Sequence, residues 1–299
     1  FLEIGINRLS LGGQTFDDST LVSIGRKHNR SQLIEACNWV NNFFKNGMLR
    51  SWSLDLIQNL PGLTLYKWFK ELEQAVQTEA PHLSIYDLSI EPGTVFELKK
   101  KIGTINLPND EIASEINRLT TSILNKAGYA RYEISNYALP GHASRHNRVY
   151  WSGSGWWAFG MGATSAPWGE RFARPRSSKD YIKWLEGQLK KGLDISLLSD
   201  SYRPIDLDDQ FIVGLRRREG VDIENLGILW GWDSDQRKKY LNSLMNNWEN
   251  AFAENLLIRK GNRVYLTNPE GMAISNQVLV EMLLWWESLP MDAVDQPNP

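Results

Sequence analysis

Trp52-Ser53-Leu54-Asp55-Leu56-Ile57-Gln58-Asn59-Leu60-Pro61-Gly62-Leu63-Thr64 carries the punctuation of a strand handed on to a helix. Residues 52–57 are a β-rich run, and Asn59-Leu60-Pro61-Gly62 closes it with turn residues. Thr64 is placed to cap a helix reaching Gln77, with Trp68, Leu72 and Val76 on one face. The same order repeats on either side. Upstream, residues 6–11 form a strand that leaves through Gly12-Gly13. Ser31 is the expected cap of a helix that carries Ile34, Cys37, Trp39, Val40 and Phe43 toward a stop near Gly47. Downstream, residues 82–90 read as a third strand, ended by Glu91-Pro92-Gly93-Thr94. Residues 110–127 read as a third helix with Ile112, Ile116, Leu119 and Ile123 in register, and residues 129–137 as a fourth strand.

Strand–helix alternation with connections of this length is the pattern of parallel crossovers. It predicts an α/β fold, the C-terminal half of a (β/α) barrel, with an open doubly wound sheet as the alternative. In a barrel the functional groups gather at the C-terminal ends of the strands. That rule selects Gln14, Asp55 and the segment 89–91.

Beyond residue 177 helices dominate. Tyr181, Trp184, Leu185 and Leu189 mark a helix ending near Gly192, and residues 194–204 read as a linker. Asp206 opens a helix through Phe211 and Leu215 that stops at Gly220, and Ser234 caps a long helix toward Asn255. Residues 256–258 and 264–266 flank a turn at Gly261-Asn262, and Pro269 starts a last helix toward Trp286. Four segments are therefore expected: a barrel part over 1–177, a connecting helix and linker over 178–205, a mainly helical, winged-helix-like domain over 206–290, and a disordered tail over 291–299. Winged helices often bind DNA, but these helices carry no strong basic surplus.

The composition narrows the class. The 299 residues are 42% hydrophobic and 23% charged, with a net charge of −2, so no nucleic acid or anionic membrane is expected as a partner. No apolar run reaches transmembrane length and no signal-peptide pattern opens the sequence. The single cysteine, Cys37, excludes an internal disulfide and fits a reducing, cytoplasmic compartment. It also excludes a cluster ligated by several cysteines of this chain. Most of the 13 tryptophans are expected in the core, some lining an aromatic ligand site. The sequence opens as Phe1-Leu2-Glu3-Ile4-Gly5, the end of a helix leading into a strand, and is expected to continue a longer protein; an unusual processed start is the alternative.

At the seam between the two patterns lies Ser144-Arg145-His146-Asn147-Arg148-Val149-Tyr150-Trp151, followed by a glycine- and aromatic-rich run to Ser165. A polar handle at such a seam is where a ligand is expected. If the segment is helical, His146 and Tyr150 share a face. The bland alternative is a structural histidine hydrogen-bonded in the seam.

Seven stretches are read together: Gly5-Ile6-Asn7-Arg8-Leu9-Ser10-Leu11-Gly12-Gly13-Gln14-Thr15-Phe16, Ile24-Gly25-Arg26-Lys27-His28, Asp55-Leu56-Ile57-Gln58-Asn59-Leu60-Pro61-Gly62, Ser89-Ile90-Glu91-Pro92-Gly93-Thr94, Tyr132-Glu133-Ile134-Ser135-Asn136-Tyr137-Ala138, Arg145-His146-Asn147-Arg148-Val149-Tyr150-Trp151 and Gly214-Leu215-Arg216-Arg217-Arg218-Glu219-Gly220-Val221. Together they resemble the oxygen-independent coproporphyrinogen III oxidase (HemN-like) family of radical SAM proteins. They follow the family's order over nearly the whole chain. The His-Asn-x-x-Tyr pattern resembles the HemW-type haem chaperones rather than the oxidase. Gln58-Asn59 departs from the family's Tyr-Gly at that turn.

The resemblance implies a binding protein that holds haem and passes it to apo-haemoproteins, with S-adenosylmethionine (SAM) and a [4Fe-4S] cluster as accessory groups. The alternative is an enzyme of porphyrin biosynthesis, a radical SAM oxidative decarboxylase acting on coproporphyrinogen III. The cluster's Cys-x-x-x-Cys-x-x-Cys motif is absent from this chain and is expected upstream of residue 1; otherwise the chain is a member without radical chemistry. A homodimer is left open. By the same resemblance Gln14, Arg26, Asp55, Ser89 and Ala166 are expected at SAM. A carboxamide suits ribose or the methionine head, Arg26 a carboxylate, and Asp55 hydroxyls or an ammonium. The plain alternative is that Gln14 and Asp55 satisfy backbone at strand ends while Arg26 is a solvated loop charge.

His146 is the expected haem-iron ligand, a metal-binding role, with Asn147 and Tyr150 near the haem edge and Arg145 and Arg148 for the propionates. His28, His82 and His142 read as loop or surface residues, with His142 the second candidate ligand. Cys37 reads as core packing, Glu91 and Glu133 as polar site groups with no catalytic role, and Lys99-Lys100-Lys101 as a solvated loop.

Overall fold

β1 (Arg8–Gln14), β2 (Ser51–Gln58) and β3 (His82–Asp87) run parallel in a sheet ordered β1-β2-β3-β5-β4, with α1 (Asp18–Ser23) and α2 (Arg30–Lys45) after β1, and α3 (Leu65–Gln77) after β2. The computed structural model describes residues 2–167, 171–191 and 205–294. Two units make up the chain: Phe1–Ala143 with Thr267–Ala273, and Ser144–Leu266 with Ile274–Pro299.

In the first unit α4 (Val95–Lys101) and α5 (Asp110–Lys126) follow β3, and β4 (Ala130–Arg131) and β5 (Asn136–Ala138) complete the sheet. The helices start where polar side chains satisfy the first free N–H groups. Thr64 caps α3 as expected, its Oγ1 accepting from Lys67 N. α2 begins two residues earlier than expected, because Asn29 and Gln32 form a reciprocal capping box. Apolar faces of the helices then cover one face of the sheet. Leu33, Cys37 and Val40 of α2, Trp68 and Leu72 of α3, and Ile116 and Leu124 of α5 join Trp52, Leu54, Leu56 and Leu83 in one core. Cys37 is buried there, and Trp68 Nε1 donates to Thr120 Oγ1 at 2.8 Å, tying α3 to α5.

Three expectations for this unit are corrected. Residues 129–137 are not one strand. Arg131 Nε donates to Ile134 O at 3.0 Å, and Glu133 Oε2 accepts from Ser135 N at 3.1 Å, which folds these residues into a turn. β5 then runs antiparallel to both β3 and β4, so the expected fourth strand does not extend the parallel run. Lys99, Lys100 and Lys101 lie in the last turn of α4 rather than a loop, where positive charge suits the helix C-terminus; Lys101 Nζ sits 2.7 Å from Glu97 Oε1. His82 is not a surface residue: it is 1% exposed, on β3.

The second unit opens with α6 (Arg145–Trp151), followed by a short antiparallel pair, β6 (Thr164–Ser165) and β7 (Phe172–Ala173), and by α7 (Ser178–Lys191). The linker read over 194–204 lies outside the described residues. Then come α8 (Leu207–Leu215), β8 (Val221–Asp222), α9 (Ile223–Trp230), α10 (Ser234–Asn247), α11 (Glu249–Ala253), β9 (Leu257–Lys260) and β10 (Arg263–Leu266). The expected hairpin is present and gains a third strand, in the order β8-β10-β9. Residues 267–273, with α12 (Glu270–Ala273), belong to the first unit, and α13 (Ser275–Glu287) and α14 (Met291–Val294) to the second. Phe211, Trp248 and Trp285 meet edge to face at the centre of the second unit. The tail expected to be disordered begins instead with α14, where the carbonyl of buried Ala293 accepts from Trp230 Nε1 at 3.0 Å and Trp232 Nε1 at 2.9 Å. Residues 295–299 lie outside the described residues.

Candidate functional site

Side chains of a strand alternate between its two faces. In the first unit Leu54 and Leu56 of β2 and Leu83 and Ile85 of β3 point into the core. The opposite face is polar. Ser10 pairs with Ser53, Ser53 with His82, and Asp55 with Ser84 in the strand register. Asp55 accepts from Ser10 Oγ at 2.8 Å and from Ser53 Oγ at 2.9 Å. Ser53 Oγ also lies 2.8 Å from His82 Nδ1, and His82 Nε2 lies 2.8 Å from Tyr132 Oη. The single Ser53 proton goes to the carboxylate, so His82 donates from Nδ1 to Ser53 and accepts at Nε2 from Tyr132. Burial, with smaller contributions from Arg8 and His142, pushes the His82 imidazole down to about 3. A chain of polar groups thus runs from Tyr132 through His82 and Ser53 to Asp55. Its members other than Asp55 were missed by sequence reasoning, although their period-two spacing was on view.

Gln14 ends β1 where the register with β2 slips by one residue, with Gly12 opposite Asp55 and Gln14 opposite Leu56. Its backbone is left-handed, at φ 62°, which is strained for any residue with a Cβ. The side chain is 8% exposed, and its Oε1 is buried with no hydrogen-bond partner. Gly13 has a steric reason: a Cβ there would lie 2.9 Å from Leu54 Cδ1 and 3.0 Å from Leu33 Cδ2, both packed in the core.

The remaining expected residues are arranged differently. Arg26 is exposed beyond α1, and its N–H donates to Leu21 O. Ser89 is exposed, and its Oγ donates to Glu91 Oε1 at 2.9 Å. Among the described residues no hydrogen bond joins either of them to Gln14 or Asp55. Glu133 is buried and forms the turn already described, with Asn136 Nδ2 donating to its Oε1. His142, the second candidate iron ligand, has Nδ1 3.1 Å from Ser51 Oγ and its ring edge-on to Phe44. His28 Nε2 lies 3.3 Å from Gly13 O.

In the second unit Ser144 caps α6, its Oγ accepting from Asn147 N at 3.3 Å. The helix puts His146 and Tyr150 one turn apart, as the spacing predicts, with Tyr150 Oη 3.1 Å from His146 Nε2. Tyr150 in turn packs edge to face on Trp156 at 4.7 Å between centroids, and the Arg171 guanidinium lies 5.9 Å from the Trp156 ring. His146 is exposed at the end of this stack, Arg145 is exposed beside it, and Asn147 is half-buried. Arg148 donates to Glu219. Ala166 is buried, and its N–H and carbonyl both pair with Trp156, at 2.9 and 3.1 Å. Gly155 lets the two segments approach, since a Cβ there would lie 2.2 Å from Pro167 O.

No protein-family model matches the sequence. The haem chaperone HemW of Synechocystis sp. is 35% identical over 292 residues, covering 93% of this chain and 69% of that protein. The haem chaperone HemW of Bacillus subtilis is 32% identical over 278 residues, covering 92% of this chain and 69% of its own length. Among solved structures, the Escherichia coli coproporphyrinogen III oxidase HemN, a radical SAM enzyme, superposes with a TM-score of 0.68 over 96% of this chain and 67% of its own, at 16% identity. That likeness bears out the expected fold. With two HemW proteins matched along nearly its whole length, the chain belongs to the HemW haem chaperone family.

Proposed function

We propose that this chain binds haem through α6 and hands it to apo-haemoproteins. The observation that carries the reading is the exposed His146 at the end of the Tyr150–Trp156 stack. A neutral imidazole nitrogen supplies the lone pair that haem iron accepts. The stacked rings beside it offer the apolar wall that a porphyrin face needs. Arg145, exposed and next in sequence, is the group for a propionate, and Asn147 and Tyr150 border the haem edge. Such a site is open, as carriage and release require.

The polar face of the first unit supports binding of SAM. The buried, unpartnered Gln14 Oε1 is an acceptor waiting for a donor, which a ribose hydroxyl or the methionine ammonium supplies. Asp55, half-buried with both oxygens already oriented by serines, accepts from the same ligand. Ser89, Arg26 and Ala166 are carried in this proposal by the family likeness alone. A [4Fe-4S] cluster does not fit the residues of this chain: it has one cysteine, buried in the core, and no group of three or more His, Cys, Asp or Glu among the described residues is placed to hold a metal. No helix among the described residues is long and apolar enough to cross a membrane. A cytoplasmic site of action is part of the proposal on the strength of the single cysteine.

Haem titration of the 299-residue chain, followed by the Soret band, tests the reading. His146→Ala is expected to remove the histidine-ligated spectrum and to weaken binding about tenfold or more, the worth of one good ligand bond. Unchanged spectra and affinity would remove His146 as the ligand.

A further inference from the structure

α6 presents a second face. Residues 145, 148 and 152 lie at helical spacing, while His146 and Arg148, two residues apart, point about 160° away from one another round the axis. The arginine-bearing face meets the turn after α8. There Arg148 donates to the carboxylate of Glu219, and Arg263 Nη1 donates to the Glu219 carbonyl at 3.2 Å. Arg217 stands in the same place. A hollow of about 440 Å³ is lined by Arg145, Arg148, Val149, Ser152, Arg217 and Glu219, and one of about 470 Å³ by Arg217, Glu219, Arg263 and Tyr265.

The charges in this cluster do not balance. Arg145, Arg148, Arg217 and Arg263 line these hollows with one acidic side chain, Glu219, whose carboxylate is already engaged by Arg148. A second, Asp222, lies opposite Arg263 in the strand register and lines a further hollow with Arg217 and Arg263, but it already caps α9 by accepting from Asn225 N at 3.0 Å, and four arginines still face two carboxylates. Arg217 is half-buried, and its Nε is buried with no hydrogen-bond partner. Burial lowers its guanidinium pKa, and the positive charges of Arg263 and Arg148 lower it further against the pull of Glu219. A half-buried guanidinium held among like charges, with a donor left over, is stabilised by an anion that brings oxygen acceptors.

We propose that Arg148, Arg217 and Arg263 form an oxyanion-binding site on the face of α6 away from His146. The ligand chemistry is a carboxylate or phosphate group able to accept from two guanidinium groups at once. The inference does not depend on iron binding at His146. Two sources can supply this chemistry: the propionates of a porphyrin whose ring lies across the end of α6, or a phosphate group.

The two sources separate experimentally. Melting of the full chain is followed in sodium phosphate against sodium chloride of equal ionic strength. Binding of hemin is compared with that of hemin dimethyl ester, which lacks free carboxylates. Both series are run on the parent, Arg217→Met and Arg263→Gln; the second variant alters an exposed residue and guards against misfolding of the first. Phosphate is expected to raise the parent melting temperature and to raise that of the variants less. Alternatively, the variants bind hemin about tenfold more weakly while binding the ester unchanged, the size expected for loss of one charged hydrogen-bonding partner. Either result supports the site and names its source. Equal phosphate shifts in all three proteins, together with equal hemin affinities, would overturn it. If His146→Ala abolishes iron ligation without touching these responses, the two sites are separate.

Discussion

Tyr150 Oη lies 3.1 Å from His146 Nε2, with the two rings edge to face at 4.8 Å between centroids. The nitrogen that an iron would take is therefore already in a hydrogen bond, and binding there has to displace it. Such a bond contributes about 0.5–1 kcal/mol net. Tyr150→Phe keeps the packing between His146 and Trp156 and removes the competition. Its haem affinity is expected to rise by about two- to fivefold, read from Soret titrations beside the parent. A fall in affinity would mean that the hydroxyl supports the bound state instead, as a partner of the haem edge.

The buried imidazole of His82 makes a prediction about acid stability. Its folded value of about 3 lies below the ordinary 6.5, so between those values the unfolded chain holds one proton more. Stability from this group is complete above pH 6.5 and is lost as pH falls through the window toward 3, at up to about 1.4 kcal/mol per pH unit. His82→Gln removes the titration. Denaturant unfolding at pH 7, 6, 5 and 4 is expected to show the variant less stable at pH 7, with the gap closing as pH falls. Parallel curves for the two proteins would sink the assignment of a neutral, buried His82.

The helices and parallel strands of the first unit were legible because each carries its own signal. Thr64 caps where a threonine should, and Trp68 and Leu72 recur on one face. The turn at Ile134–Ser135 was not legible, because it depends on Arg131 and Glu133 bonding to the backbone across a gap of two or three residues. His82 was misread for a related reason. Its burial is compensated by Ser53 and Tyr132, which lie 29 and 50 residues away in sequence. The polar face of Ser10, Ser53, Asp55, His82 and Ser84 was written in plain period-two alternation, yet each strand alone reads only as half-polar. The arginine cluster is assembled from α6, the turn after α8 and β10, so no window along the sequence contains it.

Gln14 combines two features that work against folding: a left-handed backbone at φ 62° and a buried carbonyl oxygen without a donor. The first costs about 1–2 kcal/mol for a residue with a Cβ, and the second about 1–3 kcal/mol. Gln14→Gly relieves both. Against this stand about 1.6 kcal/mol for two buried methylenes and about 0.5–1 kcal/mol for glycine's extra chain freedom. The balance predicts an unfolding free energy unchanged or higher by about 1 kcal/mol, where truncating an ordinary core residue costs about 2–5 kcal/mol. The same variant is expected to lose any rise in melting temperature that SAM gives the parent, since the waiting acceptor is gone. Denaturant unfolding and melting with and without SAM measure both. A loss of about 2 kcal/mol or more would show that Oε1 has a partner in solution and that Gln14 is held in place for the fold. A neutral or stabilising change together with loss of the SAM response would mark Gln14 as a residue kept for its ligand.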